Sequence, residues 1–124
     1  MQKQLKSVKD FHELFEIPNA NEPTLLSSDE YLLRHSLIAE ETSEYLEACE
    51  NKDIVGIADA LGDQLYIICG TILRHGLQEK MEAIFDEIHR SNLSKLEKGR
   101  VLRREDGKVL KGSEYTPPDL KQFL

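Results

Sequence analysis

An all-α fold, a helical bundle of about four main helices, is predicted by three observations in this 124-residue chain. Apolar residues recur at helical spacing through most of the sequence before Leu96. Residues that start and stop helices (Ser27, Asp53 and Gly76) fall where the apolar pattern breaks. The only strand-like signal is a short Val/Leu-flanked turn close to the C-terminus. With 40% hydrophobic residues and four prolines the composition is that of a folded chain. A chain of this length makes one domain, 1–124, burying roughly two-thirds of the surface that its unfolded form exposes.

The first helix is expected from about Gln4 to Glu16, with Val8, Phe11 and Phe15 on one face. Pro18, Asn19, Asn21 and Pro23 then enforce a loop. Ser27 and Glu30 have the spacing of a capping box, which opens a long second helix to about Glu50. Asn51-Lys52-Asp53 is a tight break that also caps a third helix running to His75, with Gly76 where a C-terminal glycine belongs. A fourth helix is expected from about Gln78 to Ser91, its stripe formed by Met81, Ile84, Phe85 and Ile88. Beyond Leu96, Val101-Leu102 and Val109-Leu110 flank an Asp106-Gly107 turn signal, which predicts a short irregular or hairpin-like basic segment before the Pro117-Pro118 tail.

Charge divides the chain. The net charge is −7, yet between His89 and Gly112 eight Lys or Arg oppose three acidic residues, a local +5 that leaves −12 on the remainder. Net acidity argues against a nucleic-acid polymer as partner. The N-terminus lacks the apolar run of a signal peptide. The stretch Ile54–Leu73 is apolar enough to suggest a membrane span, but Asp59 and Asp63 would each cost roughly 2.5–3.5 kcal/mol at the bilayer centre. It is therefore expected to be buried in protein, with no membrane involved. Cys49 and Cys69 lie outside any CxxC and read as packed thiols of a cytoplasmic protein.

Several carboxylates occupy unexpected positions. On a helical wheel with Leu37 at the origin, Glu41 falls at about 40° and Glu44 at about −20°, inside or beside the apolar arc, while Glu40 and Glu47 lie further round. Asp59 and Asp63 share a face of the apolar third helix with Tyr66 and Gly70. Two unit charges about 5 Å apart repel by roughly 3 kcal/mol at an effective dielectric near 20. Such a cluster calls for a counter-charge, and a hard divalent cation such as Mg²⁺ supplies one. The ordinary alternative for the glutamates is a solvated face paired with Lys or Arg.

Arg34-x-x-Leu37-x-x-Glu40-Glu41-x-x-Glu44 followed by Asp59-Ala-Leu-Gly-Asp63-Gln-Leu-Tyr66 resembles the all-α nucleoside triphosphate pyrophosphohydrolases. These include MazG-like proteins, phosphoribosyl-ATP pyrophosphohydrolases and dimeric dUTPases. Ser91-Asn92-Leu93-Ser94-Lys95, Asp106 to Lys111, Tyr115 and Pro117-Pro118 extend the resemblance, and Phe11-His12 points to the phosphoribosyl-ATP pyrophosphohydrolase-like branch. The resemblance implies Mg²⁺, with Mn²⁺ as a substitute, held by Glu41, Glu44 and Asp63. Ala60 stands where the family's second motif has Glu, and Asp59 is the natural replacement. The implied reaction cleaves a nucleoside triphosphate between its α- and β-phosphates, giving a nucleoside monophosphate and pyrophosphate in nucleotide-pool house-cleaning. Glu41, then Glu40, is the expected catalytic carboxylate. Substrate binding is expected of Lys95, Lys108 and Lys111 for phosphate, and of Asn92, Tyr66 and Tyr115.

Two other readings compete. A non-catalytic helical module binding nucleotide or metal is favoured by the Ala60 departure. A di-iron carboxylate protein would need a second copy of a motif that Asp86-x-x-His89 only half supplies. His12 is expected at the edge of the core. A third helix apolar nearly all round, with three short partners, predicts a homodimer or a dimer of dimers.

Overall fold

The computed structural model describes residues 1–124. It contains α1 (Gln2–Leu14), α2 (Ser28–Glu50), α3 (Ile54–Arg74) and α4 (Met81–Leu93), then a single 3₁₀ turn at Lys121–Phe123. The helical prediction holds. Two compact units divide the chain, Met1–Glu79 and Lys80–Leu124.

In the first unit, α2 and α3 form an antiparallel helical hairpin whose ends follow from local chemistry. The backbone N–H and hydroxyl of Ser27 both donate to Glu30 Oε2, at 3.1 and 2.8 Å, so the capping box is present. At the other end Lys52 takes a left-handed conformation (φ 55°). This lets the Asp53 N–H reach the Ala48 carbonyl at 2.9 Å. Asp53 Oδ1 in turn accepts from the N–H groups of Val55 and Gly56, both at 3.1 Å. One residue thus closes α2 and caps α3.

Three contacts fix the register of the pair. Near the turn Gly56 allows close approach, since a Cβ there would lie 3.1 Å from that of Ala48. Midway, Gln64 Nε2 donates to the Glu41 carbonyl at 3.3 Å. At the far end Arg34 Nη2 donates to the Ile67 carbonyl at 2.8 Å, and Nε to Thr71 Oγ1 at 3.0 Å.

Helix α1 packs on α3 through Leu5, Val8 and a Phe11 ring set edge-on to Tyr66, centroids 5.6 Å apart. His12 is 2% exposed, and its Nδ1 lies 2.6 Å from Asn19 Oδ1. It is buried in the core, deeper than the edge position expected. Burial first, then the Arg34 and Arg74 charges, lowers its pKa against the opposing Asn19 bond. Arg74, also buried, is held by the Pro18 carbonyl and by Glu30. The proline-rich loop is strapped over the end of α3, with the Ala20 N–H on the Leu73 carbonyl (3.0 Å) and the Thr24 N–H on that of His75 (2.9 Å). Gly76, at φ 68°, completes the stop, and a Cβ there would land on the Glu22 carbonyl.

One expectation fails for the isolated chain. α3 is the one helix long and apolar enough to cross a membrane, and its sequence predicted burial in protein. Its buried residues are Ala60 and then Cys69 to Arg74 with the exception of Thr71, whereas Ile54 and Val55 are 74% and 75% exposed and Leu61, Leu65 and Ile68 are exposed too. α1 and α2 cover only part of its circumference, and an all-round apolar helix needs more neighbours than two.

In the second unit α4 spans Met81–Leu93, starting and ending later than predicted, and of its predicted stripe only Ile84 is buried. The hairpin-like segment is present without a regular strand. Arg103 bridges to Val109 around Gly107 (φ 89°), and a second tight turn at Lys98-Gly99 joins Glu97 to Arg100. The tail lies along α4. Ser91 Oγ donates to the Thr116 carbonyl at 2.8 Å, Arg90 to Thr116 Oγ1 at 2.7 Å, and the Asp119 N–H to Glu87 at 2.8 Å.

Two glycines of α3 make opposite predictions. A Cβ on Gly70 would lie 2.6 Å from Arg34 Nη2 and 2.9 Å from His12 Nε2, groups that are buried or anchored. Gly70→Ala is expected to cost about 1–3 kcal/mol despite its better helix propensity. Gly62 has nothing within 4 Å of an added Cβ, so Gly62→Ala is expected to gain about 0.5–1 kcal/mol. Urea unfolding of both variants measures the difference in sign.

Candidate active site

The register of α2 on α3 decides which carboxylates meet. Glu41 is half-buried against α3 beside Gln64, and its Oε2 is buried without any hydrogen-bond partner. Burial raises its pKa most, followed by the charges of Glu44, Asp63 and Glu40. These four carboxylates therefore form one electrostatic neighbourhood carried by two helices. Asp59 is not part of it, and lies exposed on α3. Ala60, the family's Glu position, is 2% exposed and faces the interior.

No three His, Cys, Asp or Glu side chains converge closely enough to hold a metal ion by themselves. The chemistry of the donors still suits a hard cation. They are all carboxylate oxygens, one is buried and unpartnered, and Mg²⁺ typically takes only one or two carboxylates together with substrate phosphates. A buried carboxylate oxygen without a donor is costly, and native structures keep few of them.

The remaining predicted residues lie in different settings. Tyr66 is partly exposed and braced by Phe11. Asn92 lies within the last turn of α4, with its side chain exposed. Lys111 Nζ sits 4.7 Å from the centre of the Tyr115 ring, a cation–π pair that engages both. Lys95 and Lys108 join none of the five ion pairs. Other cations of the basic segment are paired locally, Arg90 with Glu87 and Arg104 with Asp106. His89 is exposed on α4, and Cys49 and Cys69 are free thiols.

The structure gives positioning roles to residues from which the sequence predicted none. Gln64 ties the Glu41 backbone to α3, and Arg34, Gly70 and His12 interlock about two helical turns beyond. The signal available for Arg34 was its place at the head of the glutamate motif.

A family model for phosphoribosyl-ATP pyrophosphohydrolase matches residues 8–92, and the chain belongs to that family, within the MazG-like nucleoside triphosphate pyrophosphohydrolase superfamily. It is a pyrophosphohydrolase with a nucleotide substrate. No curated protein matches the chain at a significant level.

The tail contacts carry a pH prediction. Arg90, then the Asp119 N–H, pulls the Glu87 carboxyl from 4.5 down to about 2. A lowered carboxyl pKa stabilises the fold above the unfolded value, so this contribution is complete above 4.5 and is lost as pH falls through about 2. The Asp119 amide is expected to lose protection from hydrogen exchange over that range. Glu87→Ala should remove the same protection at neutral pH.

Proposed function

We propose that this protein is a Mg²⁺-dependent nucleoside triphosphate pyrophosphohydrolase that cleaves between the α- and β-phosphates, releasing a nucleoside monophosphate and pyrophosphate. The observation that carries the reading is the buried, unpartnered Glu41 Oε2 amid Glu40, Glu44 and Asp63. Glu41, Glu44 and Asp63 would hold the ion, and Asp59 contributes at most from the next face of α3. When bound, the ion neutralises polyphosphate charge and makes a coordinated water more acidic.

Glu41 is the first choice to accept the proton of the attacking water, with Glu40 second. Gln64 and Arg34 act by position, holding α2 at the height on α3 where these carboxylates meet. Lys95, Lys108 and Lys111 are proposed to bind phosphate oxygens, with Asn92 and Tyr115 as further substrate contacts. Such cations stabilise charge on the transferring group. The exposed apolar face of α3, from Ile54 through Leu61 to Ile68, supports a homodimer or dimer of dimers rather than a lipid partner, because Asp59 and Asp63 share that helix. Cytoplasmic nucleotide-pool house-cleaning is the proposed setting.

A non-catalytic module is the second reading, favoured by the buried alanine at position 60. Incubation with a panel of NTPs, dNTPs and phosphoribosyl-ATP plus Mg²⁺ or Mn²⁺ separates the two by pyrophosphate release. Glu41→Gln is expected to lower turnover by about 10²-fold or more; activity within a few-fold of wild type would remove Glu41 from the role. Sedimentation is expected to give a multiple of 14.2 kDa, and a monomer at micromolar concentration would overturn the assembly.

A further inference from the structure

We propose that the cleft between α1 and α3 is the subsite that receives the heteroaromatic base of the substrate, an assignment that rests on the nucleotide pyrophosphohydrolase reading above. The cleft has a volume of about 190 Å³ and is walled by Gln4, Ser7 and Val8 of α1 and by Gly62, Leu65 and Tyr66 of α3. An apolar cavity of about 150 Å³ accepts a benzene ring, so a single heteroaromatic ring fits.

Gly62 is the informative residue. A glycine in mid-helix costs about 1 kcal/mol relative to alanine, and two structural causes that would justify it are absent. Its backbone is helical, without the positive φ of Gly76, Gly99 and Gly107. Nothing lies within 4 Å of a built Cβ, whereas Gly56 and Gly70 are crowded by neighbours. The space in front of Gly62 opens into the cleft. A missing side chain there lets a flat ring lie against the helix backbone, a close approach for which glycine is suited.

The walls carry polar groups suited to a base edge. The Gln4 side chain has both donor and acceptor capacity and makes no hydrogen bond within the chain. Ser7 Oγ donates to the Lys3 carbonyl at 3.1 Å, leaving its lone pairs free to accept. Tyr66, held edge-on by Phe11, forms a rigid wall.

Helical geometry connects this cleft to the carboxylates. Around α3, Tyr66 and Asp59 lie about 40° and 60° from Gly62, and Asp63 about 100°. A nucleotide with its base on Gly62 therefore has its phosphates directed past Tyr66 and Asp59 toward Asp63 and Glu41. This gives Asp59, which the Glu41 neighbourhood leaves out, a place beside the sugar.

Amide NMR of the full chain titrated with phosphate-free adenosine, guanosine, cytidine and thymidine tests the subsite without turnover. At least one nucleoside is expected to shift the Gly62 and Tyr66 amides, with ribose alone leaving them unmoved. Gly62→Leu, which projects a side chain into the cleft from a Cβ position with no neighbour within 4 Å, should abolish the shifts while the thermal melt stays cooperative. The same variant should raise KM for the best nucleotide about tenfold, the equivalent of one modest lost contact. The assignment is overturned by absent nucleoside shifts, by equal shifts from ribose, or by nucleoside binding that survives Gly62→Leu. A fall in kcat with KM unmoved, or Gly62 shifts that follow protein concentration instead of nucleoside, overturns it as well. Failure of the wild type to release pyrophosphate would sink the enzymatic reading instead, and is separate from these amide shifts.

Discussion

Much of the first unit depends on Arg34 reaching from α2 to the Ile67 carbonyl and to Thr71 on α3. Two antiparallel helices can slide past one another at small cost if only apolar contacts join them, because ridges fit grooves at more than one height. A guanidinium with two bonds in fixed directions removes that freedom. With Arg34 opposite Thr71, Glu41 falls opposite Gln64, and Ala48 opposite Gly56. A slip of one turn would separate Glu41 from Asp63 and carry Ala48 into the turn. The meeting of these carboxylates is thus set by a residue two helical turns away from them.

The same pair of helices separates charge along its length. Arg74 and His12 are buried, and Arg34 half-buried, toward the C-terminal end of α3, where the helix dipole favours cations. The carboxylates sit nearer the middle, beyond the reach of those cations. Arg74 is already engaged by Glu30 and the Pro18 carbonyl, and Arg34 by α3. Neutralisation of Glu41 by a neighbouring arginine, the ordinary solution for a carboxylate in an apolar arc, is therefore closed. The cluster depends on protons or on an ion from outside, and this dependence connects the fold to the phosphate chemistry of its family.

The helices and their ends were legible because they are written in local chemistry. Ser27 with Glu30, Asp53 and Gly76 each act within a few residues, so spacing alone locates them. Glu41 was legible for a related reason, since a carboxylate inside an apolar arc breaks a periodic rule. What escaped depends on partners distant in sequence. The Arg34–Gly70–His12 interlock joins three helices, and no local pattern distinguishes Gly70, which packing requires, from Gly62, which packing leaves open. The tail contacts escaped because Glu87, Arg90, Ser91 and Ser94 have the spacing of any polar helix face. The uncovered apolar surface of α3 was legible as an excess over what three short partners can bury, but periodicity does not show which residues stay exposed.

The basic segment is less free than its count suggests. Its +5 includes Arg104 engaged with Asp106 and Arg90 with Glu87, while Lys111 lies over Tyr115. These pairs order the hairpin-like segment and the tail, so part of the positive charge serves the local fold. Lys95, Lys98 and Lys108, with Arg100 and Arg103, are outside every ion pair. Residues 93–124 also lie beyond the family match at 8–92. The family match thus takes in α2 and α3 with their carboxylate cluster and ends within the last turn of α4, before the basic segment.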